Sequence, residues 1–157
     1  MPVLSDFLSP ESVLTDLNVS NKKQALEHLS AFAAMQTGID ANIILDLLLQ
    51  RERLGSTGVG EGFAVPHSKV KGLDHMFGAA ALLEKPIDYD SLDGEQVDIL
   101  FLLLAPEDSG ADHLKALARI ARQFRQPGFL KKIRSAHTPA ALYILLTEKD
   151  SEPASQS

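Results

Sequence analysis

The stretch Gly58-Val-Gly-Glu-Gly-Phe-Ala-Val-Pro-His67-Ser-Lys is the most informative part of this chain, because glycines and a proline frame a short apolar run that leads to a histidine. Glycines stand at positions 55, 58, 60 and 62, which permits positive φ angles and close approach of the backbone to neighbouring groups. Pro66 fixes its own φ and pushes Val65 into an extended conformation. We therefore predict a short strand over residues 63–65 that ends at His67 and gives its imidazole a rigid mounting.

An arginine upstream of this stretch suggests which chemistry the histidine serves. Arg51 closes a helical pattern, and the intervening turn over residues 52–58 is predicted to bring its guanidinium back toward His67. A histidine beside an arginine suggests phosphate chemistry, since the guanidinium offers a planar fork of donors that matches phosphate oxygens. Spacing alone leaves structural alternatives open: His67 can simply close a strand, and Arg51 is also favourably placed near a helix C-terminus.

The composition suits one globular domain. With 157 residues, 45% of them hydrophobic and 23% charged, the chain is long enough to bury a core. The formal net charge of -6 argues against general nucleic-acid binding and suits a basic protein partner. The absence of cysteine excludes disulfides, thiol catalysis and cysteine-ligated zinc. The N-terminus lacks a signal-peptide pattern and the longest apolar run, residues 99–105, is too short for a bilayer, so we expect no membrane insertion and a cytoplasmic location.

Two helical patterns precede the histidine. We predict that Ser20 caps the first helix and Asp40 the second, and that Gly55 follows the end of the second. Apolar residues at helical spacing define one buried face in each helix. These predicted faces comprise Ala25, Leu26, Leu29, Phe32 and Ala33 in the first helix and Ile43, Ile44, Leu47 and Leu48 in the second.

Strand patterns and a third helix follow the histidine. Two short continuous apolar runs, residues 76–83 and 97–104, predict buried central strands. Helical spacing then returns, and we predict that Asp112 caps this helix and places His113 in its first turn, where free backbone N–H groups favour a bound anion. Its predicted apolar side comprises Leu114, Leu117, Ile120, Ala121 and Phe124.

The last part of the chain predicts two further helices and a tail. Pro127 and Pro139 are predicted in helix first turns, with Thr138 as the cap of the last helix. The polar residues 149–157 predict a disordered tail, which leaves one domain over residues 1–148. The whole pattern predicts an α/β fold, a sheet flanked by helices in which strand ends form a natural site.

The run from Arg51 to His67, together with Asp112-His-Leu-Lys, resembles the enzyme IIA domains of the bacterial phosphotransferase system, of the mannitol/fructose and nitrogen-related type. The opening Leu4-Ser-Asp-Phe-Leu and the stretch over residues 16–28 look more like the nitrogen-related branch. The resemblance extends from about Leu4 to about Thr147. It implies a single-domain mixed β-sheet flanked by α-helices, the enzyme IIA type 2 architecture.

The resemblance also implies a role for each candidate site residue. His67 would accept a phosphoryl group from a histidine-containing phosphocarrier protein, without a metal, nucleotide or other cofactor, as one component of a phosphotransferase. Arg51 would bind the phosphate and stabilise its charge, which is the main need of a loose phosphoryl-transfer transition state, and His113 would support the phosphate. An apolar rim, some members of which must belong to the core, would contact the carrier. The rim candidates are Leu54, Val59, Phe63 and Val65.

Several functional alternatives remain open from the sequence. The nitrogen-related branch implies a regulator whose phosphorylation state controls target proteins by docking, whereas a sugar-specific enzyme IIA passes phosphate to an enzyme IIB in carbohydrate uptake. Outside the family, His67, His113 and Asp112 are candidate ligands of a metal-dependent hydrolase, and a binding module that never accepts phosphate is a third alternative. Glu61 stands where the family frequently has asparagine, and we expect its side chain to point to solvent from the outer face of a strand.

Overall fold

A computed structural model describes residues 3–148, so the tail predicted over residues 149–157 lies outside the described part of the chain. A short 3-10 turn, Leu4–Asp6, precedes the first strand. The strands are β1 (Leu8–Leu17), β2 (Gly58–Gly60), β3 (Phe63–Ala64), β4 (His67–Val70), β5 (Phe77–Ile87) and β6 (Val97–Pro106). The helices are α1 (Lys22–Thr37), α2 (Ala41–Arg53), α3 (Asp112–Phe124), α4 (Phe129–Arg134) and α5 (Pro139–Thr147).

One mixed sheet joins the six strands in the order β1-β5-β6-β3-β2, with β4 also paired to β6. β5 and β6 form its antiparallel centre, from Phe77 opposite Leu104 to Ile87 opposite Val97. β1 runs parallel to β5 on one side, and β3 and β4 run parallel to β6 on the other. The predicted mixed sheet is confirmed, and the strands predicted over residues 76–83 and 97–104 correspond to β5 and β6.

The sheet lies between two helical layers because its central strands are apolar on both faces. Ala79 and Ala81 of β5 pack with the buried residues of α1 and α2, whereas Ala80 and Leu82 pack with those of α3, α4 and α5. Alternate residues of a strand point to opposite faces, so one continuous apolar run supplies both cores. No helix within residues 3–148 combines the length and apolar character that a membrane span requires.

Two of the predicted helix caps are displaced by one residue. Asn21, not Ser20, caps α1: its side chain accepts a hydrogen bond from the backbone N–H of Gln24, and the Ser20 N–H donates to the Gln24 side chain. Ser20 therefore precedes the cap and completes a reciprocal capping pair. At α3, Ala111 occupies the cap position and Asp112 is the first helical residue. Its carboxylate there interacts favourably with the positive end of the helix dipole.

Of the remaining predictions for helix starts, those at Asp40, Thr138 and Pro139 are confirmed and the one at Pro127 is wrong. Asp40 caps α2 by accepting a hydrogen bond from Asn42, and Thr138 caps α5, so both predictions are confirmed. Pro139 is the first residue of α5. The placement of Pro127 in a helical first turn is wrong, because Gly128 follows it with a φ of 80° and α4 begins only at the next residue.

The buried helix faces are narrower than the predicted apolar faces. Ile43 of α2 and Leu114 of α3 are 54% and 58% exposed, although both were predicted to face the core. The core position of α2 is taken by the adjacent Ile44, and α3 reaches its first buried position only at Ala116. Other predicted members of these faces are buried or pack against the core, namely Ala25, Leu26, Leu29, Phe32, Ala33, Leu47, Leu48, Leu117, Ile120 and Phe124.

Candidate functional site

The histidine begins a strand. Ala64 of β3 pairs with Leu100, and His67 of β4 pairs with Leu103, so the two short strands follow β6 in one unbroken register. Pro66 interrupts the ladder because it has no N–H to donate, yet its carbonyl accepts a hydrogen bond from Leu103 at 3.0 Å. The strand predicted before His67 is present as β3, but it ends at Ala64 and not at the histidine: the ladder resumes directly after the proline, and His67 is the first residue of β4.

The ring of His67 is held in one tautomer. Its Nδ1 lies 2.8 Å from the carbonyl oxygen of Val65, and since a carbonyl only accepts hydrogen bonds, Nδ1 carries the proton and donates it. Nε2 of the neutral ring therefore has a free lone pair. Arg51 donates from its Nε to this Nε2 at 3.4 Å, so the turn after α2 brings the two side chains together as the sequence predicts.

The guanidinium of Arg51 has a second anchor. Its Nη1 donates to the carbonyl of Gly55 at 2.9 Å, across the turn that follows α2. Gly55 adopts a φ of 148°, a conformation that suits glycine because it lacks a Cβ. The turn thus orients the guanidinium while leaving donor groups available for an anion.

The environment of His67 favours the neutral ring. Burial lowers the pKa of His67 from its ordinary value of 6.5, and the nearby charges of Arg51 and His113 lower it further. The hydrogen bond to Val65 and the charge of Glu52 act in the opposite direction. Because the net shift is downward, the Nε2 lone pair is available at neutral pH.

A second histidine reaches the site from α3. His113 lies in the first turn of α3, as predicted, and its Nδ1 donates to the carbonyl of Gly110 at 3.0 Å. This tautomer leaves its Nε2 as the second free ring nitrogen. His113 is close enough for its charge to act on the pKa of His67. The site therefore receives side chains from both helical layers and from the sheet between them.

The glycine-rich segment over residues 55–62, here called the glycine loop, packs tightly against the loop over residues 88–95. A Cβ added to Gly58 would overlap the hydroxyl oxygen of Ser91 and lie 2.9 Å from its Cβ, so only glycine fits. Glu61 has a φ of 58°, donates its N–H to Asp93 and accepts from Arg134 through its carbonyl. Its side chain is exposed, as expected, but it projects from the turn between β2 and β3 rather than from a strand face.

Half of the predicted docking rim is in the core. Phe63 and Val65 are buried, and Phe63 stacks on Phe124 with ring centroids 4.1 Å apart. This burial identifies Phe63 and Val65 as the candidates that belong to the core and not to the rim. Leu54 is 84% exposed just after α2, and Val59 is partly buried, so these two stay as candidates.

Glu52 is a residue of the site that the sequence analysis missed. It follows Arg51 directly, and its side chain is only 6% exposed. Acidic side chains are unfavourable in the last turn of a helix, where the dipole is negative. A glutamate in the last turn of a predicted helix therefore indicates that some other interaction stabilises it, and this was the signal in the sequence that could have identified Glu52.

The part of the chain that the structure describes contains no group of three or more His, Cys, Asp or Glu side chains arranged to hold a metal ion. His67, His113 and Asp112 do not form such a group. The ligand set of the metal-dependent hydrolase is thus not assembled within residues 3–148.

Comparison with known proteins gives consistent results. Residues 6–149 match the family model described as "Phosphoenolpyruvate-dependent sugar phosphotransferase system, EIIA 2". The chain is 51% identical over 146 residues to the nitrogen regulatory protein of Bradyrhizobium diazoefficiens, covering 93% of this chain and 95% of the relative. It is 36% identical over 149 residues to the nitrogen regulatory protein of Klebsiella oxytoca, covering 94% and 92%.

A solved structure agrees with these sequence relatives. The crystal structure of nitrogen regulatory protein IIA-Ntr from Neisseria meningitidis superimposes with a TM-score of 0.87 at 28% identity. The superposition covers 92% of this chain and 99% of that protein.

Proposed function

Because the chain belongs to the enzyme IIA type 2 family of the phosphoenolpyruvate-dependent sugar phosphotransferase system, we propose that it accepts a phosphoryl group on Nε2 of His67. The donor is the phosphohistidine of a small carrier protein. The phosphorylation state of His67 then determines how this protein docks to its target proteins and controls them, as in a nitrogen-related enzyme IIA. The relatives named as nitrogen regulatory proteins support this branch over the sugar-specific one.

One observation carries the assignment of the acceptor atom. His67 Nδ1 is committed to the Val65 carbonyl, and Nε2 faces the guanidinium of Arg51. A phosphoryl group that enters between Nε2 and the guanidinium meets the nucleophilic lone pair at its phosphorus and the donors of Arg51 at its oxygens, as a loose transition state requires. No general base is needed, since Nε2 carries no proton.

The transfer balances without a further reactant. The N–P bond of the donor histidine breaks as a new N–P bond forms at Nε2 of His67, and the donor imidazole recovers its lone pair. The ring of His67 gains positive charge while Nδ1 keeps its proton, and the Val65 carbonyl holds that proton. Arg51 and His113 bind the phosphoryl oxygens, whose charge is spread in a loose transition state.

The acceptor is tested by intact-mass measurement after incubation with phosphoenolpyruvate, enzyme I and an active carrier. We expect an acid-labile gain of one phosphoryl group in the unmodified protein and none in His67→Ala. His28→Ala is the matched control, since His28 is an exposed histidine on α1, and it should be phosphorylated normally. The proposal would be overturned if the His67→Ala variant were phosphorylated, or if the protein without substitutions were not.

The sugar-specific alternative is separated by the next step of the phosphate. The family description names a sugar phosphotransferase system, so phosphorylated protein should also be offered to an enzyme IIB. A regulator should keep its phosphate when enzyme IIB is present, over a time in which the carrier could have phosphorylated it many times. Rapid passage to the IIB acceptor would instead make the chain a component of carbohydrate uptake.

A further inference from the structure

The buried carboxylate of Glu52 lies at the centre of a hydrogen-bond network beneath the glycine loop. Its Oε1 accepts from the Lys22 ammonium at 2.8 Å and from the Thr57 backbone N–H at 3.1 Å. Its Oε2 accepts from the Thr57 hydroxyl and from the Tyr89 hydroxyl, the latter at 3.3 Å. Four donors satisfy the carboxylate, which is the condition under which a charged group can stay buried.

The donors are themselves fixed. Tyr89 is fully buried, and burial followed by the charge of Glu52 raises the pKa of its phenol, so the hydroxyl keeps its proton and donates. The Lys22 ammonium lies 4.7 Å from the Tyr89 ring centroid, within cation–π range. Ser56 next to Thr57 donates its hydroxyl to the Tyr89 carbonyl at 3.1 Å. The start of the glycine loop is thus bound to Glu52 and Tyr89 at several points.

A continuous series of hydrogen bonds leads from Glu52 to the ring of His67. Thr57, held by Glu52 at its N–H and hydroxyl, accepts the Val65 N–H through its own carbonyl at 3.0 Å. Val65 in turn accepts Nδ1–H of His67 through its carbonyl at 2.8 Å. Each linking residue is fixed at both its N–H and its C=O. The position of the imidazole is therefore set from Glu52 through two residues of buried backbone.

We propose that Glu52 is a positioning residue for phosphoryl transfer, which aims Nε2 of His67 through Thr57 and Val65 and places the loop that anchors Arg51. This inference rests on the proposed function and adds a residue to it. Glu52 also supplies a buried negative charge near a ring that becomes cationic on phosphorylation. A histidine oriented through its Nδ1–H by a buried acid is a known catalytic device, and here the acid acts through backbone groups.

The charge of Glu52 predicts a change in the pKa of His67 that is opposite in direction to the change that a purely structural residue would cause. The charged groups that act on His67 are Arg51 and Glu52 from α2 and His113 from α3. Of these, only Glu52 raises the pKa of His67. Its removal should therefore lower the pKa of His67, whereas general loosening of the loop would admit water and raise that pKa toward 6.5.

The test compares Glu52→Gln with Asp46→Asn, which removes a carboxylate from an exposed position of the same helix. We expect Glu52→Gln to lower the NMR titration midpoint of His67 and to slow transfer from saturating carrier by about 10- to 100-fold. The carrier concentration at half-maximal rate should stay unchanged, because Glu52 is buried. Asp46→Asn should match the protein without substitutions in titration midpoint, in transfer rate and in the carrier concentration at half-maximal rate. A raised midpoint in Glu52→Gln, or an unchanged midpoint together with an unchanged rate, would overturn the proposal.

A second pair of variants covers the case in which Glu52→Gln does not fold. Thr57→Ser keeps the hydroxyl that donates to Glu52, and Thr57→Val removes it. We expect Thr57→Ser to transfer normally and Thr57→Val to transfer more slowly, and equal rates would refute the linkage. The NMR titration needs no carrier, so it tests the effect of Glu52 on His67 independently of phosphoryl transfer. If the protein without substitutions does not accept phosphate, the proposed function is wrong whatever the titration shows.

Discussion

At the scale of single residues, the neutral state of His67 is the property on which its chemistry depends. Burial lowers its pKa most, and Arg51 and His113 add to the effect. An ordinary histidine is half protonated near pH 6.5, where this ring is still mostly neutral. Because the folded pKa lies below the unfolded one, the associated stability is present above pH 6.5 and is lost as the pH falls through the folded value.

We predict that the NMR titration midpoint of His67 lies below 6.5 and that Arg51→Met raises it, since this change removes a positive neighbour. As the pH falls, the rate of phosphate acceptance should decline at a lower pH than it would for a histidine with the ordinary pKa of 6.5. The other imidazoles in the same spectra provide the reference. A midpoint that falls in Arg51→Met would show that the guanidinium acts on His67 mainly through packing rather than charge.

At the scale of elements, α3 connects the site to one of the two cores. Phe124 near its C-terminal end stacks on Phe63 of β3 and makes edge contacts with Phe101 and Phe129. The same helix carries His113 at its other end. Packing of its aromatic end therefore supports the orientation of its first turn.

We predict that Phe124→Ala lowers the free energy of unfolding by about 3–5 kcal/mol, the usual cost of emptying a buried aromatic site. Leu114→Ala on the same helix is the control, since Leu114 is 58% exposed and should change stability by at most about 0.5 kcal/mol. Urea unfolding followed by circular dichroism measures both. Equal losses in the two variants would contradict the burial of this helix face.

The central elements were predictable because their apolar runs are unambiguous. β5 and β6 carry continuous apolar residues, and Asp40 and Thr138 are ordinary cap residues at clear changes of pattern. β1 was missed because it does not alternate: Leu8 lies opposite Gly78 and Val13 opposite Ala80, so five steps in one strand match two in the other. The exposed Ser9-Pro-Glu segment within it fills this bulge and disrupts the strand period.

The candidate site was predictable as far as its chemistry is local in sequence. Arg51 and His67 lie only 16 residues apart in the chain, and His113 follows a clear helix start. Glu52 was missed because two of its donors, Lys22 and Tyr89, are distant in the chain, so no spacing rule points to them. Which rim candidates belong to the core could not be predicted, because strand residues beside a site can equally face the core, as Phe63 does.

At the scale of the whole molecule, the proposed function requires a surface near His67 on which a carrier protein can dock. Leu54 lies 84% exposed at the end of α2. We predict that Leu54→Asp slows phosphate transfer by about tenfold, as loss of an apolar interface contact costs roughly 1–2 kcal/mol, without a change in thermal unfolding.

Met35→Asp is the matched control for this prediction. Met35 is 83% exposed on α1 and lies about 20 Å along that helix from Lys22, which is the end near Glu52. It should leave transfer unchanged. Equal slowing by the two variants would indicate a general effect of added negative charge on the carrier rather than a docking contact at Leu54.

The origin of the site residues in three layers has a mechanical consequence. Arg51 comes from a helix packed on one face of the sheet, His113 from a helix packed on the other, and His67 from the sheet itself. One phosphoryl group, bonded to His67 through its phosphorus and bound by Arg51 and His113 through its oxygens, would act as a reversible cross-link through the thickness of the domain. We predict that the phosphorylated protein melts at a higher temperature than His67→Ala incubated in the same mixture, and identical melting curves would contradict this. Dephosphorylation would then loosen the fold as well as change its charge, so a partner that senses rigidity would distinguish the two states without touching the phosphate.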